Sequence, residues 1–209
     1  MQCLIGKKVG MTRLFDADGK AVGVTVIQTG QNVIHQVKSP EVDGYRAVQL
    51  GFEEIAEKKL NKPQLGHFKK LGTPPTRIVR EVRLDKGDAG YTAGQRIGVE
   101  VFENVKFVDV TGTTKGRGHT GTIKRYNFQR GRETHGNTNV RERGSSGANT
   151  YPARVFPGLK MSGQYGNERV TTKRIEVVTI DKENGLVFLR GAVPGSNKSI
   201  VVIRKTNHG

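Results

Sequence analysis

Sixty consecutive residues, 115 to 174, hold thirteen Lys and Arg against three acids, Glu133, Glu142 and Glu168, while the other 149 residues share only +6 of the chain's +16. Like charges set this close repel one another. The stretch has almost no apolar periodicity beyond Ile123 and Val155 with which to offset that repulsion. Such a chain cannot fold as one uniform globule. It divides into a nearly balanced body and a cationic excursion that needs counter-charge from elsewhere, and the surplus itself points to a polyanion. The division read from the sequence is a first body part over 1–114, an inserted basic extension over 115–170, and a returning body part over 171–209.

The body reads as short strands. Alternating or β-branched runs bounded by Gly, Asp and Asn lie at 4–9, 22–28, 33–38, 46–52, 77–83, 96–102 and 106–110 before the excursion, and at 174–181, 186–190 and 199–204 after it. Asp16-Ala17-Asp18-Gly19 predicts a hairpin joining the first two strands, and Lys182-Glu183-Asn184-Gly185 another in the returning part, because Gly supplies the positive φ such turns need. Helical patterns are minor, at 53–60 and at 63–71 before Gly72. Strand-rich segments with turns every eight to fifteen residues favour a mainly β fold, an antiparallel barrel or sandwich, over a βαβ fold. A mean hydropathy of −0.53 and no long apolar run argue against a membrane-spanning helix. The single Cys3 leaves no internal disulfide framework, and Met1–Lys8 lacks the apolar run of an export signal, so a reducing, cytoplasmic setting is expected.

Within the excursion, Lys115, Arg117, Lys124, Arg125, Arg130, Arg132, Arg141, Arg143, Arg154, Lys160 and Arg169 recur every few residues, close to the phosphate spacing of an extended strand. Arg outnumbers Lys among them, which favours bidentate phosphate contacts and stacking over point-charge attraction. His135 and His119 sit among Arg and Gly with few acids nearby, the setting of a hydrogen bond to phosphate or ribose rather than of a catalytic base. Gly112, Gly116, Gly118 and Gly121 let backbone N–H groups approach a ligand closely. Tyr126, Phe128, Tyr151 and Phe156 either stack on unpaired bases or anchor the excursion to its own body. Extended as a two-sided projection, the excursion could reach at most ~80 Å, enough to enter a large RNA.

Several blocks in order resemble one family over essentially the whole chain. They are Gly6-Lys7-Lys8-Val9-Gly10-Met11-Thr12-Arg13, Gly66-His67-Phe68, Asp109 through Gly118, Gly121 through Phe128, Thr134-His135-Gly136, Lys160-Met161-Ser162-Gly163-Gln164, Gly166 through Thr171, and Gly191-Ala192-Val193-Pro194-Gly195. The sequence is similar to the universal large-subunit ribosomal protein three, in its bacterial form. The resemblance implies a translation-protein-type six-stranded antiparallel β-barrel with a small α/β part, and an extension threading large-subunit rRNA toward the peptidyl transferase centre. It further implies an early assembly role, neighbouring large-subunit ribosomal proteins as partners, and a ribosome of the bacterial cytoplasm or of an organelle. Three places depart from the family pattern, one being Phe156-Pro157-Gly158-Leu159-Lys160, where the usual lysine-rich run is thinner. Val140 through Gly147 lacks the His and Pro often found before the tip, and Thr150 stands where some relatives carry a glutamine methylated on its amide nitrogen, which a hydroxyl cannot receive.

Rival chemistries find little support. Gly116-Arg117-Gly118-His119-Thr120-Gly121 fits a dinucleotide fingerprint formally, but 122–131 does not read as the helix such a turn opens, and Glu142 is the only acid near the required spacing. Gly-Lys-Ser/Thr occurs nowhere, so no phosphate-cradling loop for nucleotide hydrolysis is present. Gly144-Ser145-Ser146-Gly147 is followed by Ala148 and is no nucleophile elbow. Asp16 and Asp18 are turn residues rather than a metal loop, and Asn197-Lys198-Ser199 is a chance glycosylation match. Lys58, Lys59, Lys69 and Lys70 form either a solvated face or an RNA contact. No catalytic residue, metal, cofactor, small-molecule substrate or membrane is therefore expected. A free-standing RNA-binding enzyme or chaperone is the alternative to a ribosomal component.

Overall fold

The computed structural model describes residues 2–84 and 90–206. Six strands close into a barrel in the order β1-β12-β7-β10-β11-β2, every neighbouring pair antiparallel. They are β1 (Cys3–Phe15), β2 (Ala21–Gln28), β7 (Phe107–Thr113), β10 (Arg169–Asp181), β11 (Leu186–Arg190) and β12 (Ile200–Lys205). Between β2 and β7 the chain builds a four-stranded sheet in the order β5-β4-β3-β6, from β3 (Asn32–Lys38), β4 (Ala47–Glu54), β5 (Thr76–Arg83) and β6 (Arg96–Ile97). Helix α1 (Pro40–Asp43) joins β3 to β4, and α2 (Lys62–Leu71) lies between β4 and β5. The expected six-stranded antiparallel barrel with few helices is thus the fold observed.

Both turn readings hold. Asp16–Gly19 links β1 to β2, with Gly19 N donating to Asp16 O at 2.8 Å, and 182–185 links β10 to β11. Helix α2 ends at Gly72 in the left-handed region, φ 64°, and its start is fixed by the Gln64 side chain accepting from Asn61 N. Three expectations need correction. The helical reading of 53–60 fails because β4 runs on to Glu54 and only one 3-10 turn, Glu57–Lys59, follows. The strand expected over 96–102 stops after Ile97. Val99 and Phe102 are instead buried by a 3-10 turn, which aligns residues three apart on one side. Strand β10 begins at Arg169 rather than 174, and its alternation is hidden by a bulge at Arg174, φ 55°, whose N–H donates to Asp109 Oδ1 at 2.8 Å.

One continuous core joins barrel and sheet. Leu4, Ile5, Ile27, Val108, Val110, Val187, Leu189, Val201 and Ile203 from the barrel belong to the same buried cluster as Ile34, Val48, Leu50 and Phe102. Full burial of each such side chain contributes roughly 1.5–3 kcal/mol. Two buried polar groups hold the junctions. The Asn32 side chain takes the place of a strand partner for Ile5, its Oδ1 accepting from Ile5 N at 2.9 Å and its Nδ2 donating to Ile5 O at 3.0 Å. Lys8, buried, donates from Nζ to Val193 O at 2.8 Å and Gly195 O at 3.2 Å, which ties the opening Gly-Lys-Lys block to the distant 191–195 block.

A third polar group lies under α2. His35 is fully buried, with its ring nitrogens 2.7 Å from the Thr73 and Thr76 hydroxyls and its ring edge-on to Phe68 at 5.0 Å. Burial, with a smaller contribution from His67, pushes its pKa down to about 4, so the imidazole is neutral and uses one nitrogen as donor and one as acceptor. Gly51 is required beside it, because a Cβ there would run into His35 Nε2 and the Thr76 hydroxyl.

Candidate nucleic-acid interface

The chain separates into two compact units, 1–113 with 169–209, and 114–168. The last rung between β7 and β10 pairs Thr113 with Arg169, so the two ends of the inserted segment are fixed side by side by the barrel's own ladder. This removes the loop-closure cost that a fifty-residue irregular segment would otherwise meet alone.

Inside 114–168 the base is a narrow stem. Thr114 N donates to Glu168 O at 2.9 Å, Arg117 N to Tyr165 O at 2.9 Å, and β8 (Gly118–Thr120) pairs with β9 (Gly163–Tyr165). Gly166, at φ 71°, is obligatory there, since a Cβ would collide with Lys115 O. A single helical turn, α3 (Thr122–Tyr126), follows and is ended by Asn127 in the left-handed region, φ 58°. This turn corrects the reading of 122–131 as non-helical, and the β8–β9 ladder gives the segment a short two-stranded base. At five residues, and ended by Asn127, α3 is not the helix of a dinucleotide fold.

Of the twelve groups predicted to meet phosphate, ten are exposed: Lys115, Arg117, Lys124, Arg130, Arg132, His135, Arg141, Arg154, Lys160 and Arg169. Arg125 and Arg143 are half-buried. The structure assigns them different duties. Arg125 donates from Nη1 to Met161 O at 2.9 Å, lies against Gly163 and covers the Tyr126 ring at 5.0 Å, so it braces the stem. Arg143 donates to Ser145 O at 3.0 Å, and Arg130 pairs with Glu133 at 3.0 Å on the surface. Arg117 stacks on Tyr165 at 5.0 Å and Lys160 on Tyr126 at 5.8 Å. Lys115, Lys124, Arg132, His135, Arg141 and Arg169 make no side-chain hydrogen bond or ion pair among the described residues. Their donors face solvent. A smaller closed loop is set by Gly131 N donating to Val140 O at 3.0 Å and Asn137 Nδ2 to Arg132 O at 2.7 Å.

Among the described residues, no group of three or more His, Cys, Asp or Glu is placed to hold a metal ion, and no helix is long and apolar enough to cross a membrane. His119 and His135 are exposed within the cationic segment, and the fully buried His35 is enclosed by two threonines. The fold is thus a closed antiparallel barrel that carries one long cationic insertion. The sequence profile of the ribosomal protein L3 family matches residues 92–187. Over nearly the full length the chain is 50% identical to the large ribosomal subunit protein uL3 of Petrotoga mobilis (205 residues, 98% of this chain and 95% of the relative). It is 52% identical to the uL3 of Fervidobacterium nodosum (204 residues, 98% of each) and 51% identical to that of Thermotoga maritima (204 residues, 98% and 97%). The chain belongs to the ribosomal protein L3 family and is a structural constituent of the large ribosomal subunit.

Proposed function

We propose that this chain binds large-subunit rRNA, with 115–170 acting as an extension that threads between RNA elements toward the peptidyl transferase centre, and that it joins the particle early in assembly. The observation that carries the reading is the pairing of a surplus of ten positive charges in 115–174 with a segment, 114–168, that buries no apolar side chain among the described residues. Phosphate supplies what the segment lacks. Lys115, Lys124, Arg132, His135, Arg141 and Arg169 are the first-choice ligands, joined by Arg117, Arg154 and Lys160, while Arg125, Arg130 and Arg143 contribute through donors left over from their internal contacts. RNA backbone binding of this kind positions without reading sequence. Neighbouring large-subunit proteins complete the setting, in the ribosome of a bacterial cytoplasm.

The test is the salt dependence of binding to a large-subunit rRNA fragment. Each neutralised phosphate contributes about 0.7–0.9 to the fall of log K with log salt, so a slope reporting several contacts is expected. A slope worth about one phosphate would contradict the reading.

A further inference from the structure

Of the twelve large apolar side chains that stand exposed among the described residues, five fall within residues 151–161: Tyr151 at 87% exposure, Phe156 at 57%, Val155, Leu159 and Met161. Phosphate contacts do not require any of them. The same stretch is cationic, with Arg154 and Lys160, and no Asp or Glu occurs from 143 to 167. The segment's rings also divide sharply. Tyr126, Phe128 and Tyr165 are half-buried and matched with one another or with Arg125, Lys160 and Arg117. Among the described residues Tyr151 has no ring or cation partner, and Phe156 has only the Arg154 guanidinium, 5.5 Å from its centroid.

We infer that residues 151–161 are a base-stacking platform, in which Tyr151 and Phe156 stack on unpaired RNA bases while Val155, Leu159 and Met161 cover the apolar faces beside them. This deepens the rRNA-binding reading and rests on it. A ligand for this surface must be anionic, to meet a cationic stretch without acids, and must present flat apolar faces. Nucleobases meet both requirements. They must be unpaired, because the deep, narrow groove and closed stack of an A-form duplex keep base faces from side chains. Stacking also explains why rings are left in water in a segment that packs its other rings internally.

The full chain is titrated with two RNA probes of equal length, a hairpin carrying 2-aminopurine in an unpaired loop and a duplex with every base paired. The loop probe is expected to bind more tightly, with its fluorescence quenched. Tyr151→Ser and Phe156→Ser each lower loop affinity about tenfold and relieve the quench. Neither changes duplex affinity or the salt slope, and Tyr151→Phe and Phe156→Tyr behave as the parent. Both positions are solvent-exposed, and unchanged circular dichroism checks the fold of each variant. Equal binding of the two probes, or serine variants that bind the loop as the parent does, would overturn the platform and leave the phosphate reading standing, with the rings then free for a protein neighbour. Loss of salt-dependent affinity for both probes in the parent chain would bring down the phosphate reading and the platform together.

Discussion

Every buried apolar side chain among the described residues lies in the body formed by 2–113 and 169–206, and none lies in 114–168, although that segment makes up about a quarter of the chain. The body is held by area removed from water. The segment is held by a short stem, a one-turn helix and stacked ring–cation pairs, each of which contributes on the order of 1 kcal/mol. Two regions of one polypeptide therefore obey different thermodynamics. One carries its own driving force for folding. The other has no such driving force of its own, and under the proposed rRNA binding its shape would be fixed by neutralising phosphates, as in segments that order on binding.

The largest expected effect comes from separating the two. Replacing 116–165 with a short Gly-Ser linker should leave the far-UV circular dichroism of the β body and its cooperative unfolding intact, since Thr113 and Arg169 stay paired. Affinity for an rRNA fragment should fall by a factor of about 10³ or more at moderate salt. A body that unfolds on this deletion would break the comparison. In the intact chain without RNA, proteolysis should begin within 116–165, and bound RNA should suppress it.

Next in size is a break confined to the body. Asn32→Ala strands the N–H and C=O of Ile5 in the interior, and urea denaturation should register a loss of about 2–4 kcal/mol, with the RNA salt slope unchanged. Acid should weaken the same region. Because the His35 pKa in the folded chain is about 4, below the ordinary value of 6.5 that the unfolded chain keeps, the unfolded state binds the extra proton between these values. Stability from this residue is complete above pH 6.5, declines as pH falls toward 4 by up to about 3 kcal/mol, and changes no further below that. His35→Gln should flatten the slope across that window. Glu81, held below its usual range by Lys38 and Tyr45, loses its contribution in the same acid direction, so the comparison of parent and variant isolates the histidine. The smallest effects separate the arginines. Arg132→Ala should reduce the salt slope by about 0.7–0.9 without changing stability, whereas Arg125→Ala should lower hydrogen-exchange protection at Gly118–Thr120 and Gly163–Tyr165.

Which features were legible follows from their range along the chain. The hairpins at Asp16–Gly19 and 182–185, and α2 with its terminal Gly72, are written in adjacent residues and read correctly. The 3-10 turn at Val99–Phe102 was mistaken for a strand because an apolar run of that length does not reveal its period. The start of β10 was misplaced because the bulge at Arg174 shifts the alternation. Asn32 and His35 give little local signal: Asn32 also donates to the nearby Thr29 O, but the partners that fix their roles, Ile5, Thr73 and Thr76, lie 27, 38 and 41 residues away. The cationic residues were all visible as charge. That Arg125 is committed to Met161, 36 residues on, was not, because the sequence shows a guanidinium but not where its donors are spent.

The barrel seam has a consequence for synthesis. Strand β12, the final strand described, lies between β1 and β7 and joins the beginning of the chain to its middle. As the nascent polypeptide leaves the exit tunnel, the arginine-rich stretch emerges while its future scaffold is still an open, unsealed sheet. The polycation thus emerges before the cylinder shuts, so the proposed RNA contact need not wait for completion of the domain that anchors it.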